Sequence, residues 1–218
     1  MSLERLKSLQ HENDAAGAEM LIESERFNKL SVRHEQGTAP KAVSGFNLFQ
    51  TPRDIAGRMA RLIPYGSKRI LEPSAGLGRL YKEIRKEIPL SLITLNEINK
   101  ECTQEIYNNM DDKTVLLQRD FLTVSPVDIG VFDAVVMNPP FKLGRDIKHI
   151  QHALKFLSKG GLLIALCYNG VRQNKILKPL SSTWEVLPDN SFKAEGTGAS
   201  VVLLTLKTWR TYNEKNRI

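Results

Sequence analysis

The sequence predicts an α/β fold in which helices cover both faces of a mostly parallel, doubly wound sheet. Apolar strand-like runs alternate with helical stretches along most of the chain, and this alternation is typical of parallel sheets. The strand-like runs cover residues 69–73, 90–96, 114–118, 132–137 and 161–167, and the helical stretches cover residues 52–63, 77–87, 99–109 and 146–158. Two last strand-like runs, near residues 183–188 and 200–208, leave no room for a helix between them and predict an antiparallel hairpin.

Length and composition favour one principal domain. With 218 residues, of which 41% are hydrophobic, the chain can bury one sizeable core but hardly a second full domain. We expect that domain over residues 46–218 and an N-terminal helical and loop extension over residues 1–45. Residues 1–30 are charge-rich with apolar positions that permit amphipathic helices, and residues 31–45 carry the Gly, Thr, Pro and Ser of a loop.

The first predicted strand ends in a glycine-containing turn that leads into a helix. Glycines at positions 76 and 78 would let the backbone approach a ligand closely at the helix N-terminus. The acidic Glu72, directly before the turn, suits a ligand that carries an ammonium group. A dinucleotide-binding site is disfavoured, because the GxGxxG pattern needs its glycines in a different frame and residue 81 is a tyrosine. An ordinary strand-to-helix connection is the alternative.

The fourth predicted strand ends in Asn138-Pro139-Pro140-Phe141, which predicts a loop for methylating a planar amino group. An amine on an aromatic ring is a poor nucleophile, because its lone pair is delocalised into the ring. The side-chain oxygen of Asn138 and the carbonyl of Pro139 could each accept one N–H and localise that lone pair. The two prolines would hold the loop rigid, and Phe141 would offer an aromatic face to an extruded base. A proline-rich turn with Phe141 in the core is the alternative.

Together, the two motifs resemble those of class I S-adenosylmethionine-dependent methyltransferases. Residues 72–78 resemble the first motif of that family, and residues 138–141 resemble the NPP(F/Y/W) motif of its amino-methylating branch. Within the branch, the chain most resembles small adenine-specific DNA methyltransferases of phages and plasmids, which share a stretch similar to residues 184–198. The resemblance covers residues 46–207 and implies a Rossmann-like fold with a seven-stranded sheet and S-adenosyl-L-methionine as cofactor.

The resemblance also implies roles for individual residues. The catalytic residues would be Asn138, Pro139, Pro140 and Phe141. The cofactor would contact Thr51, Glu72, Ser74, Gly76, Gly78, Glu97, Asp120, Phe121 and Asn138, with its methionine end near Thr51, its ribose on Glu97, and its adenine against Asp120 and the ring of Phe121. Because ligands of such sheets bind beyond the carboxyl ends of the strands, one cleft could gather these residues. On general grounds each acidic residue could instead be a solvated strand end, and Thr51 could be a helix N-cap with Pro52 in the first helical position.

Charge favours a nucleic-acid substrate. The chain has 31 Lys plus Arg against 24 Asp plus Glu, a net charge of +7. Part of the excess lies in a basic segment, residues 142–178, where eight cations have only Asp146 as an acidic counterpart. These cations are Lys142, Arg145, Lys148, Lys155, Lys159, Arg172, Lys175 and Lys178. We expect phosphate contacts from Lys142, Arg145, Arg172 and Lys175, whereas Lys155 and Lys159 fit a solvated helix face better.

The predicted function is methylation of adenine amino groups in DNA, with a separate specificity subunit as a further partner class. RNA adenine, a protein glutamine and a non-catalytic nucleic-acid-binding subunit are the alternatives. His149 and His152 predict a surface pair rather than a metal site. Two cysteines, Cys102 and Cys167, argue against a disulfide scaffold and for a reduced, cytoplasmic compartment. The longest apolar run is too short to span a membrane.

Overall fold

The computed structural model describes residues 50–207, which contain a seven-stranded sheet of order β3-β2-β1-β4-β5-β7-β6. The strands β1 to β5 pair in parallel, and β7 runs antiparallel to both β5 and β6. The strands are β1 (Arg69–Glu72), β2 (Leu92–Asn96), β3 (Thr114–Leu117), β4 (Phe132–Met137), β5 (Leu157–Tyr168), β6 (Thr183–Val186) and β7 (Val201–Lys207). This topology confirms the predicted doubly wound sheet with an antiparallel pair at its C-terminal end.

Helices pack on both faces of the sheet. They are α1 (Arg53–Arg61), α2 (Arg79–Glu87), α3 (Lys100–Tyr107), α4 (Pro126–Ile129), α5 (Arg145–Ala153) and α6 (Val171–Ile176). Because side chains alternate along a strand, the neighbours Ile70 and Leu71 of β1 belong to apolar clusters on opposite faces. Within residues 50–207, no helix combines the length and the apolar character that crossing a membrane requires.

The elements around β5 differ from the prediction. The helix predicted over residues 146–158 ends at Ala153, a 3₁₀ turn follows at Leu154–Phe156, and β5 already begins at Leu157. The pairing of β5 with β4 then shifts from Phe132–Leu157 to Ala134–Leu162, so the strand is irregular at residues 158–161. The prediction began this strand at residue 161, whereas the structure has Gly160 and Gly161 inside a bulged strand.

Part of the prediction concerns residues outside 50–207. The N-terminal extension over residues 1–45, its amphipathic helices and its loop lie outside the described residues, as do residues 46–49 and the end of the last predicted strand at residue 208. The proposed domain boundary at residue 45 therefore stays a prediction.

Candidate active site

A cleft of about 510 Å³ opens at the carboxyl ends of β1 to β4, where the strand order reverses. Its volume is in the usual range for a small-molecule site. Of the predicted site residues, it brings together Ser74, Glu97, Asp120, Phe121, Asn138, Pro139, Pro140, Phe141, Lys142 and Arg145. Residues that follow four different strands therefore share one cleft.

The other predicted site residues are not among those that line this cleft. Thr51, Glu72, Gly76 and Gly78 are buried, and Arg172 and Lys175 are exposed on α6. Gly78 has a left-handed backbone (φ 74°) at the start of α2, and a Cβ there would lie 3.3 Å from Cγ1 of Ile106. This glycine thus serves the turn and the packing of α2 against α3.

Two buried carboxylates follow β1 and β2. Glu97 accepts one backbone N–H on each oxygen, from Gly76 on Oε2 at 2.8 Å and from Asn99 on Oε1 at 2.9 Å. Each carboxylate oxygen can accept a second hydrogen, so these bonds leave room for a diol. Glu72 is 1% exposed, and among the described residues its Oε2 has no hydrogen-bond partner. Burial, with the charge of Glu97 as a second cause, raises the pKa of Glu72 well above its ordinary value.

The residues after β3 are arranged differently from the prediction. Asp120 is half-buried, and its Oδ1 accepts the N–H of Leu122 in the following turn. Phe121 is only 2% exposed, and its ring packs on His152 and Phe156 with centroids 4.9 and 5.2 Å away. The ring of Phe121 is thus packed into the core behind the cleft wall, and its expected contact with the cofactor stays a prediction.

A further apolar side chain lines the cleft next to Glu97. Ile98 lines the cleft and is 49% exposed. Sequence reasoning missed this residue, although its position directly after Glu97 is a usable signal. An apolar side chain beside a diol acceptor can cover one face of a purine ring.

The amide of Asn138 is held by a buried residue that precedes α1. Its Nδ2 donates to Oγ1 of Thr51 at 3.1 Å, and Thr51 is 5% exposed. Because the nitrogen points to Thr51, the amide oxygen points away from it. The helix α1 begins at Arg53 with Pro52 in the N-cap position and no side-chain cap bond, so Thr51 is not the N-cap that the alternative interpretation expected. Thr51 instead orients Asn138.

A second layer of contacts supports Thr51. The guanidinium of Arg79, at the start of α2, donates to the backbone carbonyl of Thr51 at 3.2 Å and pairs with the carboxylate of Glu195. Glu195 belongs to residues 184–198, the C-terminal stretch on which part of the resemblance depends. In the structure this stretch buries Leu187 and Phe192 and braces the segment that holds Asn138.

The methyltransferase small domain family provides the matching sequence model, which aligns with residues 58–194. The protein belongs to this family. The cofactor of this methyltransferase is S-adenosyl-L-methionine, in agreement with the sequence prediction. A search of curated protein sequences found no significant match.

Solved structures with a similar fold are also methyltransferases. A candidate RNA methyltransferase, PH1948 from Pyrococcus horikoshii, superposes with a TM-score of 0.61 at 15% identity, over 86% of this chain and 98% of that one. The glycopeptide N-methyltransferase MtfA with bound S-adenosyl-L-methionine gives 0.55 at 12% identity, over 78% and 100%. An rRNA methylase from Streptococcus thermophilus gives 0.52 at 14% identity, over 75% and 99%. At these identities the likeness shows a shared fold.

The basic segment of this methyltransferase, residues 142–178, has no exposed acidic group. Its one acidic residue, Asp146, is fully buried and accepts hydrogen bonds from the backbone N–H groups of Ile147 and Tyr168 and from the side chain of Gln173. Burial raises the pKa of Asp146, although these hydrogen bonds oppose the shift. Asp146 therefore joins α5 to β5 and α6 instead of neutralising the surface.

The loop after Phe141 brings cations together at the mouth of the cleft. Lys142 and Arg145 line the cleft, and a Cβ placed on Gly144 would lie 3.9 Å from Nη1 of Arg172. Arg172 thus lies beside the same loop, whereas Lys175 is further along α6. Among the ion pairs found in residues 50–207, none involves a cation of the basic segment.

The tip of that loop is strained and apolar. Leu143 has a left-handed backbone (φ 59°, ψ 23°), which costs an L-residue about 1–2 kcal/mol, and its side chain is 84% exposed at the edge of the cleft. Gly144 follows in the same conformation. The loop therefore presents an apolar side chain between Lys142 and Arg145.

The two histidines of α5 are not the surface pair that the sequence predicted. His149 is 6% exposed and lines the cleft, while Nε2 of His152 hydrogen-bonds the carbonyl of Val124 at 2.9 Å. Burial, together with the charges of Arg145 and His152 and against that of Asp120, lowers the pKa of His149 to about 4. The helical spacing with Asp146, Ile150 and Ala153, which are all buried, is the signal that could have found it.

Proposed function

We propose that the protein methylates the exocyclic amino group of adenine in a nucleic acid, with DNA as the first candidate substrate. The hydrogen bond from Asn138 to Thr51 is the observation that carries this proposal, because it fixes the direction of the Asn138 amide oxygen within a cleft-lining loop. A rigidly aimed acceptor is what activation of a delocalised amine requires. An ordinary proline-rich turn would not need such a bond.

The proposed mechanism is direct transfer of the methyl group. When bound, S-adenosyl-L-methionine would supply the electrophilic methyl group of its sulfonium: the S–C bond would break as the new N–C bond forms, S-adenosylhomocysteine would leave, and the methylated amine would lose one proton to solvent. Oδ1 of Asn138 and the carbonyl oxygen of Pro139 accept the two N–H groups of the target amine and direct its lone pair toward the methyl carbon. The prolines at 139 and 140 hold these two acceptor atoms in fixed positions. The ring of Phe141, half-buried at the cleft, stacks against the base.

The cofactor contacts form a second part of the proposal. Oε2 of Glu72, which has no hydrogen-bond partner among the described residues, would accept the ammonium group, with the turn at Ser74, Gly76 and Gly78 beside it. Glu97 accepts the ribose hydroxyls in addition to its two backbone bonds. The side chain of Ile98 covers the purine ring, and Asp120 lies at its edge. These proposed steps require no metal.

The basic segment supports a polyanionic substrate. Lys142, Arg145 and Arg172 surround the loop at the mouth of the cleft, and Lys175 extends the same charge along α6. A protein glutamine, the alternative with the same acceptor geometry, gains nothing from this surface. A non-catalytic binding subunit would not need the bond between Thr51 and Asn138.

RNA adenine is the second candidate substrate. It is favoured by the solved structures of similar fold, since PH1948 is described as a candidate RNA methyltransferase and the Streptococcus thermophilus protein as an rRNA methylase. DNA is favoured by the resemblance of the two motifs to small adenine-specific DNA methyltransferases. A separate specificity subunit is compatible with either substrate.

An oligonucleotide pair tests the proposed chemistry. The first oligonucleotide carries a single adenine. The second has the same sequence except that purine, which lacks the exocyclic amine, replaces that adenine. We expect S-adenosyl-L-methionine to label the adenine strand and leave the purine strand unlabelled, in DNA or in the RNA of the same sequence. Equal labelling of both strands would show that another atom is the acceptor and would overturn the proposal.

A further inference from the structure

The loop that follows Phe141 holds a leucine side chain in solvent at the mouth of the cleft. Residues 141–144 form a turn, which the backbone N–H of Gly144 closes by donating to the carbonyl of Phe141 at 3.2 Å. Leu143, the third residue of this turn, has a left-handed backbone and is 84% exposed, yet it lines the cleft. A turn position with positive φ normally carries Gly or Asn. Folding alone therefore disfavours leucine here, and strained positions of this kind cluster at functional sites.

The surroundings of Leu143 limit what its side chain can contact. Lys142 and Arg145 flank it in the sequence and are exposed, and Arg172 lies beside the next residue, Gly144. These cations attract the phosphates of a nucleic acid. A leucine side chain has no attraction for phosphates or sugar hydroxyls, so its apolar partners in such a substrate are the faces of the bases. In a paired helix stacking covers those faces, except where a base has left the stack.

The position of Leu143 relative to Phe141 indicates where such a gap would lie. The two residues are two positions apart, so their Cα atoms are separated by at most about 7.6 Å. In the proposed function the target base stacks against Phe141 inside the cleft. A base drawn from a duplex into the cleft leaves its gap at the mouth, which is where the side chain of Leu143 is exposed.

The type of side chain distinguishes a paired substrate from a single strand. Proteins that bind single strands offer aromatic rings, on which successive bases stack. Leucine is instead among the apolar side chains that proteins insert between the stacked bases of a duplex. A base in a single strand is already accessible, so its entry into the cleft leaves no gap in a helix for Leu143 to fill.

We propose that Leu143 is a wedge that enters the base stack and occupies the gap left by the target base, so that the substrate is double-stranded DNA. This inference rests on the proposed function and adds to it the paired state of the substrate. Leu143 is a positioning residue, because it keeps the base out of the helix and takes no part in methyl transfer itself. Burial of its side chain between bases offsets the stacking that the target base loses.

Binding of the full chain to DNA with a preformed gap tests this role without methyl transfer and without a known recognition sequence. The probes are a short DNA duplex, the same duplex with one central abasic nucleotide, and the single strand. Fluorescence anisotropy in the presence of S-adenosylhomocysteine measures the three Kd values. In the abasic duplex, Leu143 can be buried without unstacking a base. We expect the wild type to bind it about tenfold more tightly than the intact duplex, and Leu143→Ala to bring this ratio near one.

Two further variants separate the wedge from a general surface contact. Leu143→Met keeps an apolar side chain of similar length and should retain the preference for the abasic duplex. Val171→Ala truncates another apolar side chain, which is 86% exposed at the start of α6, and should leave the ratio at its wild-type value. A wild-type ratio near one would overturn the proposal. Equal weakening of all three probes by Leu143→Ala would also overturn it.

Methyl transfer separates this inference from the proposed function. Leu143→Ala should slow the labelling of adenine in the duplex far more than the labelling of the single strand, because only the duplex requires a base to leave its stack. Equal slowing on both substrates would contradict the wedge. Absence of labelling by the wild type, with the binding ratios as expected, would support the wedge and count against the proposed function alone.

Discussion

The two sides of the cleft differ in both charge and burial. The side formed by the ends of β1 and β2 carries two buried carboxylates, Glu72 and Glu97, the second of which is held by backbone N–H groups. The side that follows β4 exposes the cations of the basic segment and buries its only acidic residue, Asp146. A cationic cofactor and a polyanionic substrate would therefore be attracted to opposite sides, with Asn138 between them.

Substitution of Asn138 should have the largest effect, because this residue joins the two sides. Asn138→Ala should lower the rate of methyl transfer about 10²–10³-fold, as expected when one preorganised hydrogen-bonding group is lost. The Kd for S-adenosylhomocysteine should change little. Single-turnover kinetics and calorimetry on the same preparation measure both quantities. Asn108→Ala, exposed at the end of α3, is the matched control, and a parallel loss of transfer and binding in Asn138→Ala would contradict the assigned role.

Substitution of Glu72, on the side formed by the ends of β1 and β2, should weaken cofactor binding without slowing methyl transfer. Glu72→Gln replaces the buried carboxyl group, whose Oε2 has no hydrogen-bond partner among the described residues, by a group of the same shape that cannot become negatively charged when the ammonium group binds. Because a hydrogen bond to a charged group contributes about 1.5–3 kcal/mol, we expect the Kd for S-adenosyl-L-methionine to rise about 10- to 100-fold. The rate at saturating cofactor should be preserved. The exposed Glu87→Gln in α2 is the control, and wild-type affinity in Glu72→Gln would remove Glu72 from the cofactor site.

Removal of charges from the basic side should change the salt dependence of substrate binding. In a variant with Lys142, Arg145 and Arg172 replaced by Ala, the slope of log K against log salt should decrease by about 0.9 for each lost contact with duplex DNA, or about 0.7 for a single strand. Fluorescence anisotropy at several salt concentrations measures the slope. A variant with Lys82, Lys86 and Lys113 replaced should keep the wild-type slope. Equal slopes in all three proteins would exclude this surface as the binding face.

Loss of the hydrogen bond between Thr51 and Asn138 should have a smaller effect on methyl transfer. Thr51→Val keeps the shape of the side chain and removes the hydroxyl, so the Asn138 amide loses its orienting acceptor. One neutral hydrogen bond contributes about 0.5–1.5 kcal/mol, so we expect kcat to fall up to about tenfold. Thr51→Ser should restore kcat. If Thr51→Val raises only the KM for the cofactor, Thr51 contacts the methionine end of the cofactor, as the sequence comparison implied.

The smallest expected effect concerns pH and the buried carboxyl group of Glu72. Its pKa is raised by burial and by Glu97, so the folded protein keeps this proton at pH values where the unfolded chain has released it. The resulting stability is complete below the ordinary pKa of a glutamate and is lost as the pH rises through the raised value. Urea unfolding of the cofactor-free protein across this range should show a decline that Glu72→Gln reduces. Identical profiles would show that Glu72 does not titrate in the folded state.

The sheet was predictable because the parallel strands are nearly continuous apolar runs, and β1 to β4 each end in residues of a motif. The helices α4 and α6 were not predicted, because four and six residues are too few to establish an apolar period. The beginning of β5 was misplaced because only a short 3₁₀ turn, which buries Phe156, separates it from α5. Sequence patterns thus located the long elements and missed the short ones that packing determines.

Only the part of the candidate site that lies in motifs at the strand ends was predictable from the sequence. Their positions brought Glu97, Asp120 and Asn138 to one cleft. The contact between Thr51 and Asn138 joins residues 87 positions apart, and no local pattern encodes it. Phe121 and His149 have the reverse of their expected exposures, because the face that α5 presents to the sheet depends on tertiary packing.

The central claim is transfer of a methyl group from S-adenosyl-L-methionine to the amino group of adenine in a nucleic acid. Its most direct test supplies isotopically labelled cofactor to matched pools of DNA, RNA and protein and identifies the product by nucleoside mass spectrometry. We predict labelled N6-methyladenine in a nucleic-acid pool, with DNA first, and none with Asn138→Ala. Label confined to protein, or no label in any pool while the cofactor binds, would contradict the claim.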